Sequence, residues 1–205
     1  MPLYKELSFG TTAILIWKHH KTDDIPILEA VSLDDLDSKP IINPKKIIEK
    51  KMIKAMLQSV LPNHQLKHYT DGSPFVEIPS THISISHSYP FAVLAVSNKK
   101  IGVDIEKISD RILKLKDKFL SPEEKEWLSP KDDTEQLTEI WCIKESLYKI
   151  HPEKFWSLKK YYQVMPYTNK NTSPISCKVL NNGQTTHYNA KIEHIEDYIL
   201  SVVTA

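Results

Sequence analysis

The sequence predicts an α+β protein made of two α/β-type halves, each a small, mainly antiparallel sheet packed with helices. Three observations carry that expectation. Segments with helical spacing of apolar residues alternate with short strand-like runs along the chain. Two stretches, "HISISHSYPFAVLAVS" (82–97) and "YNAKIEHIEDYILSVVT" (188–204), share a plan: an alternating strand, a polar turn, then a continuous apolar strand. A chain of 205 residues, 40% apolar and 26% charged, can bury the core of one large domain or two small ones. The residue similarity between the two stretches is weak, so duplication and coincidence both stay open at this point. Under duplication the halves, residues 1–100 and 101–205, pack as a pseudo-dimer with the natural cleft between them.

The first clear strand is Thr12–Lys18, and a polar, acidic stretch over 23–37 has room for a short helix. "NPKKIIEKKMIKAML" then opens a helix with Asn43 as N-cap and Pro44 at the first helical position, where a missing N–H is harmless. Ile48, Met52, Ala55 and Met56 form its buried stripe and leave Lys46, Lys50 and Lys54 in one row. "TDGSPF" (70–75) is a turn, and His82–Ser86 with Phe91–Ser97 read as a hairpin-like pair. A further strand, Ile101–Ile105, precedes a basic helical stretch, Arg111–Phe119. Ser121 and Glu124 have capping-box spacing around Pro122, which predicts a short helix from 122 to 128. The longest helix covers 133–150, with Ile140, Ile143, Leu147 and Ile150 inward, and strands follow at Ser176–Leu180, Tyr188–His194 and Tyr198–Val203.

Composition excludes several classes of function. A net charge of +1 does not describe a protein coated in basic charge for long nucleic acid. The apolar run Ala13–Trp17 is too short to cross a membrane, and no charged n-region with an apolar h-region is seen, so a cytoplasmic location is expected. Cys142 and Cys177 lack CxxC spacing, which argues against a disulfide framework or a zinc site; Cys142 reads as a core thiol.

Asp104 and Glu106 in "KKIGVDIEKI" project from one side of a strand while Val103 and Ile105 face the other. Two adjacent like charges repel, and a divalent cation relieves that; oxygen ligands suit Mg²⁺ or Mn²⁺. The competing reading is an exposed acidic face neutralised by lysines such as Lys107. In "WCIKESLYK", Trp141, Glu145 and Lys149 share one helical row beside the apolar stripe. A surface Glu/Lys pair, worth only a few tenths of a kcal/mol, explains the charges but not the tryptophan. A third carboxylate for the cation, beside a lysine for phosphate oxygens, explains both residue types. "ISISHS" adds His87 between Ser86 and Ser88 at a strand end, offering hydroxyls, an imidazole and backbone N–H groups to an anion. Among nine histidines a lone one of this kind is usually structural.

The ordered set "ISHS", "GVDIE" and "WCIKESLYK" resembles the 4′-phosphopantetheinyl transferase superfamily, in particular its monomeric, two-lobed Sfp-like type, with motifs spread over residues 44–150. The resemblance implies transfer of the phosphopantetheine arm of coenzyme A to a serine of an apo acyl carrier protein or carrier domain, releasing adenosine 3′,5′-bisphosphate. It implies that Asp104, Glu106 and Glu145 hold Mg²⁺, with Mn²⁺ as a substitute, and that Glu145 takes the serine proton. Lys149 is implied to stabilise the pyrophosphate. Ser86, His87 and Ser88 are implied to grip the coenzyme A phosphates, with Lys54 the match to a helix arginine and Lys144 a further phosphate contact. Ser73 stands where family members commonly carry lysine, and "IHPEKFW" replaces a glycine-containing stretch. A monomer is expected, with no nucleic-acid or membrane partner. "SDRILKLKDKFL" (109–120) offers Arg111, Lys114, Lys116 and Lys118 beside Leu113, Leu115 and Phe119 as a candidate surface for an acidic carrier, or else an ordinary amphipathic helix. Two alternatives are an inactive coenzyme A-binding or carrier-docking module and a Mg²⁺-dependent phosphodiesterase or nuclease.

Overall fold

The structure, a computed structural model, describes residues 3–20, 44–128, 133–168 and 174–204. The Asn43 cap and the acidic stretch 23–37 lie outside the described residues. β1 (Leu3–Phe9) and β2 (Thr12–Lys18) form an antiparallel hairpin turned by Gly10, whose φ of +61° favours a residue without a Cβ. Sequence patterning missed β1 because it is an edge strand with mostly exposed side chains, and Lys5 interrupts the apolar positions Leu3, Leu7 and Phe9. Helix α1 (Pro44–Val60) follows, then β3 (Lys67–His68) and β4 (Pro74–Phe75), which flank the expected turn. β5 (His82–Ser88) and β6 (Phe91–Ser97) form the expected hairpin, and β7 (Ile101–Lys107) begins the second sheet.

The basic stretch is not one helix. A 3₁₀ turn over Asp110–Lys114 gives way to α2 (Lys116–Phe119). The break lets Ile112 and Phe119 both reach the core, where Phe119 meets Trp141 edge-on at 5.3 Å between ring centres. Phe119 is therefore not available to a docking surface, and packing accounts for the tryptophan at 141. α3 (Pro122–Trp127) starts with the expected reciprocal Ser121/Glu124 capping box, and α4 (Thr134–Ile150) is capped by Asp133. The short α5 (Leu158–Tyr161) and β8 (Tyr162–Val164) precede β9 (Ile175–Asn181), β10 (Gln184–Ile195) and β11 (Tyr198–Thr204).

Two larger antiparallel sheets result, with strand orders β1-β2-β6-β5 and β7-β11-β10-β9-β8, beside the two-stranded β3-β4 pair. Within them β2-β6-β5 and β7-β11-β10 share one connectivity: an opening strand, a helix, and a closing hairpin whose last strand pairs with the first. That is the repeat foreshadowed by 82–97 and 188–204. The sheets face each other through one core, Ile14, Ile16, Phe91 and Val93 meeting Val103, Ile105, Leu200 and Val202. On the outer face of the first sheet, Leu15, Trp17 and Leu94 pack on Met52 and Met56 of α1. On the outer face of the second, Ile199, Val203 and Ala190 pack on α4 residues such as Ile140, Ile143 and Leu147. The fold is thus α+β, each antiparallel sheet carrying its own helices, as expected.

Candidate active site

β7 lies at the edge of the second sheet, paired on one side with β11. Its alternation sends Ile101, Val103 and Ile105 into the core between the sheets, and leaves Gly102, Asp104 and Glu106 on the side of α4. Gly102 is required for that approach: a Cβ there would sit 2.0 Å from the Ser146 carbonyl oxygen of α4. On the facing helix, Glu145 and Lys149 stand one turn apart. The Lys149 ammonium donates to Asp104 Oδ1 and to the Val103 carbonyl, both at 2.8 Å. Asp104 is buried, and its Oδ2 has no hydrogen-bond partner.

Three carboxylates thus share one partly dry space with a single lysine bonded to one of them. Burial, then repulsion from Asp104, lifts the Glu145 pKa to about 7. The same two causes, in the same order, lift Glu106 to about 6, partly opposed by Ser88, Lys149 and Arg111. The residues present fit a hard cation: the donors are all carboxylate oxygens, and one of them is buried without a partner. A tighter group lies elsewhere: Glu135, Glu139 and His194 bring ligand atoms within 4.8 Å of one another, with Tyr167 donating to Glu139 at 2.6 Å. Asp104, Glu106 and Glu145 do not close to that distance.

β5 runs beside β7 and brings the "SHS" residues to the acids. The Ser86 hydroxyl donates to Asp104 Oδ1 at 2.8 Å, and Ser88 donates to Glu106 at 3.3 Å. His87 is exposed on the opposite side of β5, its Nδ1 3.2 Å from Glu49 Oε2 on α1. Glu49 also accepts the Tyr89 N–H at the hairpin turn, so it orients the imidazole and the turn together. Sequence reasoning passed over Glu49; its signal is an acid on the helix that carries the lysine row. Lys54 is half-buried on α1, and Ser73 closes an Asx turn by donating its N–H to Asp71 at 2.9 Å.

Lys144 is not part of this group. Its ammonium is fully buried, 2.5 Å from Glu124 Oε2 and 2.6 Å from the Phe119 carbonyl. Glu124 also accepts the N–H groups of Ser121 and Val164, so one carboxylate joins α3, α4 and β8. The physical reason is a neighbour from another element: a buried ammonium is tolerated only with a carboxylate at hand, and α3 supplies it. A residue missed from sequence is Lys154, which donates to the carbonyls of Tyr148, Lys149 and His151 and so closes the end of α4. A lysine shortly after a helix end is the signal for such a cap.

Comparison with known proteins covers the part of the site carried by β7 and α4. Residues 100–203 match the family described as "4'-phosphopantetheinyl transferase superfamily". The chain is 35% identical over 115 residues to the 4'-phosphopantetheinyl transferase gsp of Aneurinibacillus migulanus, a match covering 51% of this chain and 48% of the relative. It is 35% identical over 82 residues to the 4'-phosphopantetheinyl transferase Sfp of Bacillus subtilis (strain 168), covering 38% and 37%. With the 4'-phosphopantetheinyl transferase psf-1 of Bacillus pumilus it shares 33% over 96 residues, covering 44% and 41%. The chain spans less than half the length of these curated relatives. The matched residues run from the start of β7 through α4 to β11, the strands and helix that carry the acids, and the chain belongs to the 4'-phosphopantetheinyl transferase superfamily.

Proposed function

We propose that the protein is a Mg²⁺-dependent 4′-phosphopantetheinyl transferase acting on coenzyme A and an apo carrier protein. The observation that carries this reading is the buried, unpartnered Asp104 Oδ2 set beside two acids of raised pKa, within the region the family match covers. Asp104, Glu106 and Glu145 would hold the cation, which when bound polarises the phosphoryl group and neutralises charge on the leaving nucleotide. Glu145, ionising near neutral pH, accepts the proton of the carrier serine. The serine oxygen forms a bond to the phosphorus bearing the pantetheine arm. The P–O bond to the nucleotide breaks, and adenosine 3′,5′-bisphosphate leaves with the electron pair. Lys149, whose ammonium is part exposed beside Asp104, neutralises pyrophosphate oxygens. His87, exposed and oriented by Glu49, meets a phosphate from the first sheet.

The test is direct. Incubation with coenzyme A, Mg²⁺ and an apo carrier protein adds the mass of the phosphopantetheine arm to the carrier. No mass shift on several carriers that a known transferase does modify would overturn the reading.

A further inference from the structure

β5 and β7 meet where the two sheets join, yet they belong to different sheets and share no ladder pairing. Because β7 pairs with β11 on one side, the N–H groups of Val103 and Ile105 point the other way, toward β5. Leaving two buried N–H groups without partners costs about 1–3 kcal/mol each. Serine hydroxyls on β5 receive them: Ser84 accepts from Val103 at 3.0 Å and Ser86 from Ile105 at 3.2 Å. The strand alternation of the serines matches that of the two N–H groups, so each bridges the seam in the same way.

Of these two serines, Ser86 alone does something more. It has one hydroxyl proton, and that proton goes to Asp104 Oδ1 at 2.8 Å. Lys149 donates to the same oxygen at 2.8 Å, so Oδ1 has two donors while the buried Oδ2 has none. A carboxylate held through one oxygen presents the other in a fixed direction, as outer-shell partners of metal ligands do. With its proton given to Asp104 and its oxygen facing the Ile105 N–H, the Ser86 hydroxyl has no donor left for a phosphate. We propose that Ser86 is a positioning residue that fixes Asp104 for the cation, rather than a contact to coenzyme A. This rests on the metal site proposed above. It makes the first sheet a determinant of metal affinity at acids carried by the second.

The experiment is a Mn²⁺ titration followed by electron paramagnetic resonance, with and without coenzyme A, on the full chain and its variants. Ser86→Ala weakens Mn²⁺ binding about 10–100-fold, the usual effect of removing an outer-shell partner. Coenzyme A binding measured without metal is unchanged in that variant. Ser84→Ala, which loses the equivalent seam bond, lowers the melting temperature but leaves Mn²⁺ affinity as in wild type. Ser86→Cys, nearly isosteric with a weak S–H donor, carries the same test if the alanine variant does not fold, and its affinity is intermediate. The proposal is overturned by wild-type Mn²⁺ affinity in the Ser86 variants, by an equal loss in Ser84→Ala, or by weakened coenzyme A binding at unchanged metal affinity. A wild-type protein that binds no Mn²⁺ overturns the metal site and this proposal together. One that binds Mn²⁺ but modifies no carrier overturns the transferase reading and leaves the role of Ser86 standing.

Discussion

At the scale of single residues, the pH behaviour of Glu106 and Glu145 is the most exposed consequence of the site. Both start from 4.5 as free groups and are lifted to about 6 and about 7, mainly by burial. Between pH 4.5 and 7 the folded chain therefore holds more protons at these positions than the unfolded chain does. Their contribution to stability falls as pH rises through that window and is lowest above pH 7. In chelator, the melting temperature of Glu145→Gln relative to wild type should rise from pH 5 to pH 8, because the amide has no proton to lose. A difference that is flat or falls over that range contradicts the raised pKa. The same variant should lose about 10²–10⁴ in transfer rate while coenzyme A binding persists, as expected on removing a general base. Equal transfer rates in Glu145→Gln and wild type would remove Glu145 from proton transfer. The four residues on which the site was built were legible because strand alternation and the helical turn fix faces locally: Asp104 and Glu106 share a face of β7, and Glu145 and Lys149 a face of α4. The surroundings of Ser86 and Lys144 were not legible, for the opposite reason. Their partners, Asp104 and Glu124, come from other elements, and no local pattern shows which distant charge takes up a hydroxyl or an ammonium.

Among the elements, α4 depends on contacts at both its ends and along its face. Gly102 lets the helix approach β7 closely, and a methyl at that position meets backbone oxygen rather than a yielding side chain. Gly102→Ala should cost about 1–3 kcal/mol or more in urea unfolding, as over-packing does, and should weaken Mn²⁺ binding because Glu145 is displaced from Asp104. Wild-type stability and metal affinity in this variant would show that the helix is not held by that contact. Lys144→Met strands the buried Glu124 carboxylate and should cost about 3–5 kcal/mol, with coenzyme A affinity unchanged in the folded fraction. Weaker coenzyme A binding with no loss of stability would instead return Lys144 to phosphate contact. The helices α1 and α4 were readable from their apolar spacing, and α3 from its capping box. The basic stretch Arg111–Phe119 was not, since helical spacing alone does not reveal that Ile112 and Phe119 are both drawn inward and break the helix between them.

For the molecule as a whole, the repeated strand order was partly visible in the two hairpin-like stretches, but the way the halves meet was not. Apolar runs such as Phe91–Ser97 show that both faces of a strand are buried without showing against what. The answer is that the inner face of each sheet is covered by the other sheet, with Leu200 and Val202 against the Ile14, Ile16 and Val93 side. Each half alone would expose that face to water, together with the β7 N–H groups that Ser84 and Ser86 satisfy. The two halves should therefore unfold as one. Leu200→Ala, fully buried at the shared core, should cost about 2–5 kcal/mol and shift a single transition without splitting it. Residues 1–100 and 101–205 produced separately should each lack the cooperative melting of the whole. Two resolved transitions in the intact chain, only one of them moved by Leu200→Ala, would show instead that each sheet and its helices is stable alone.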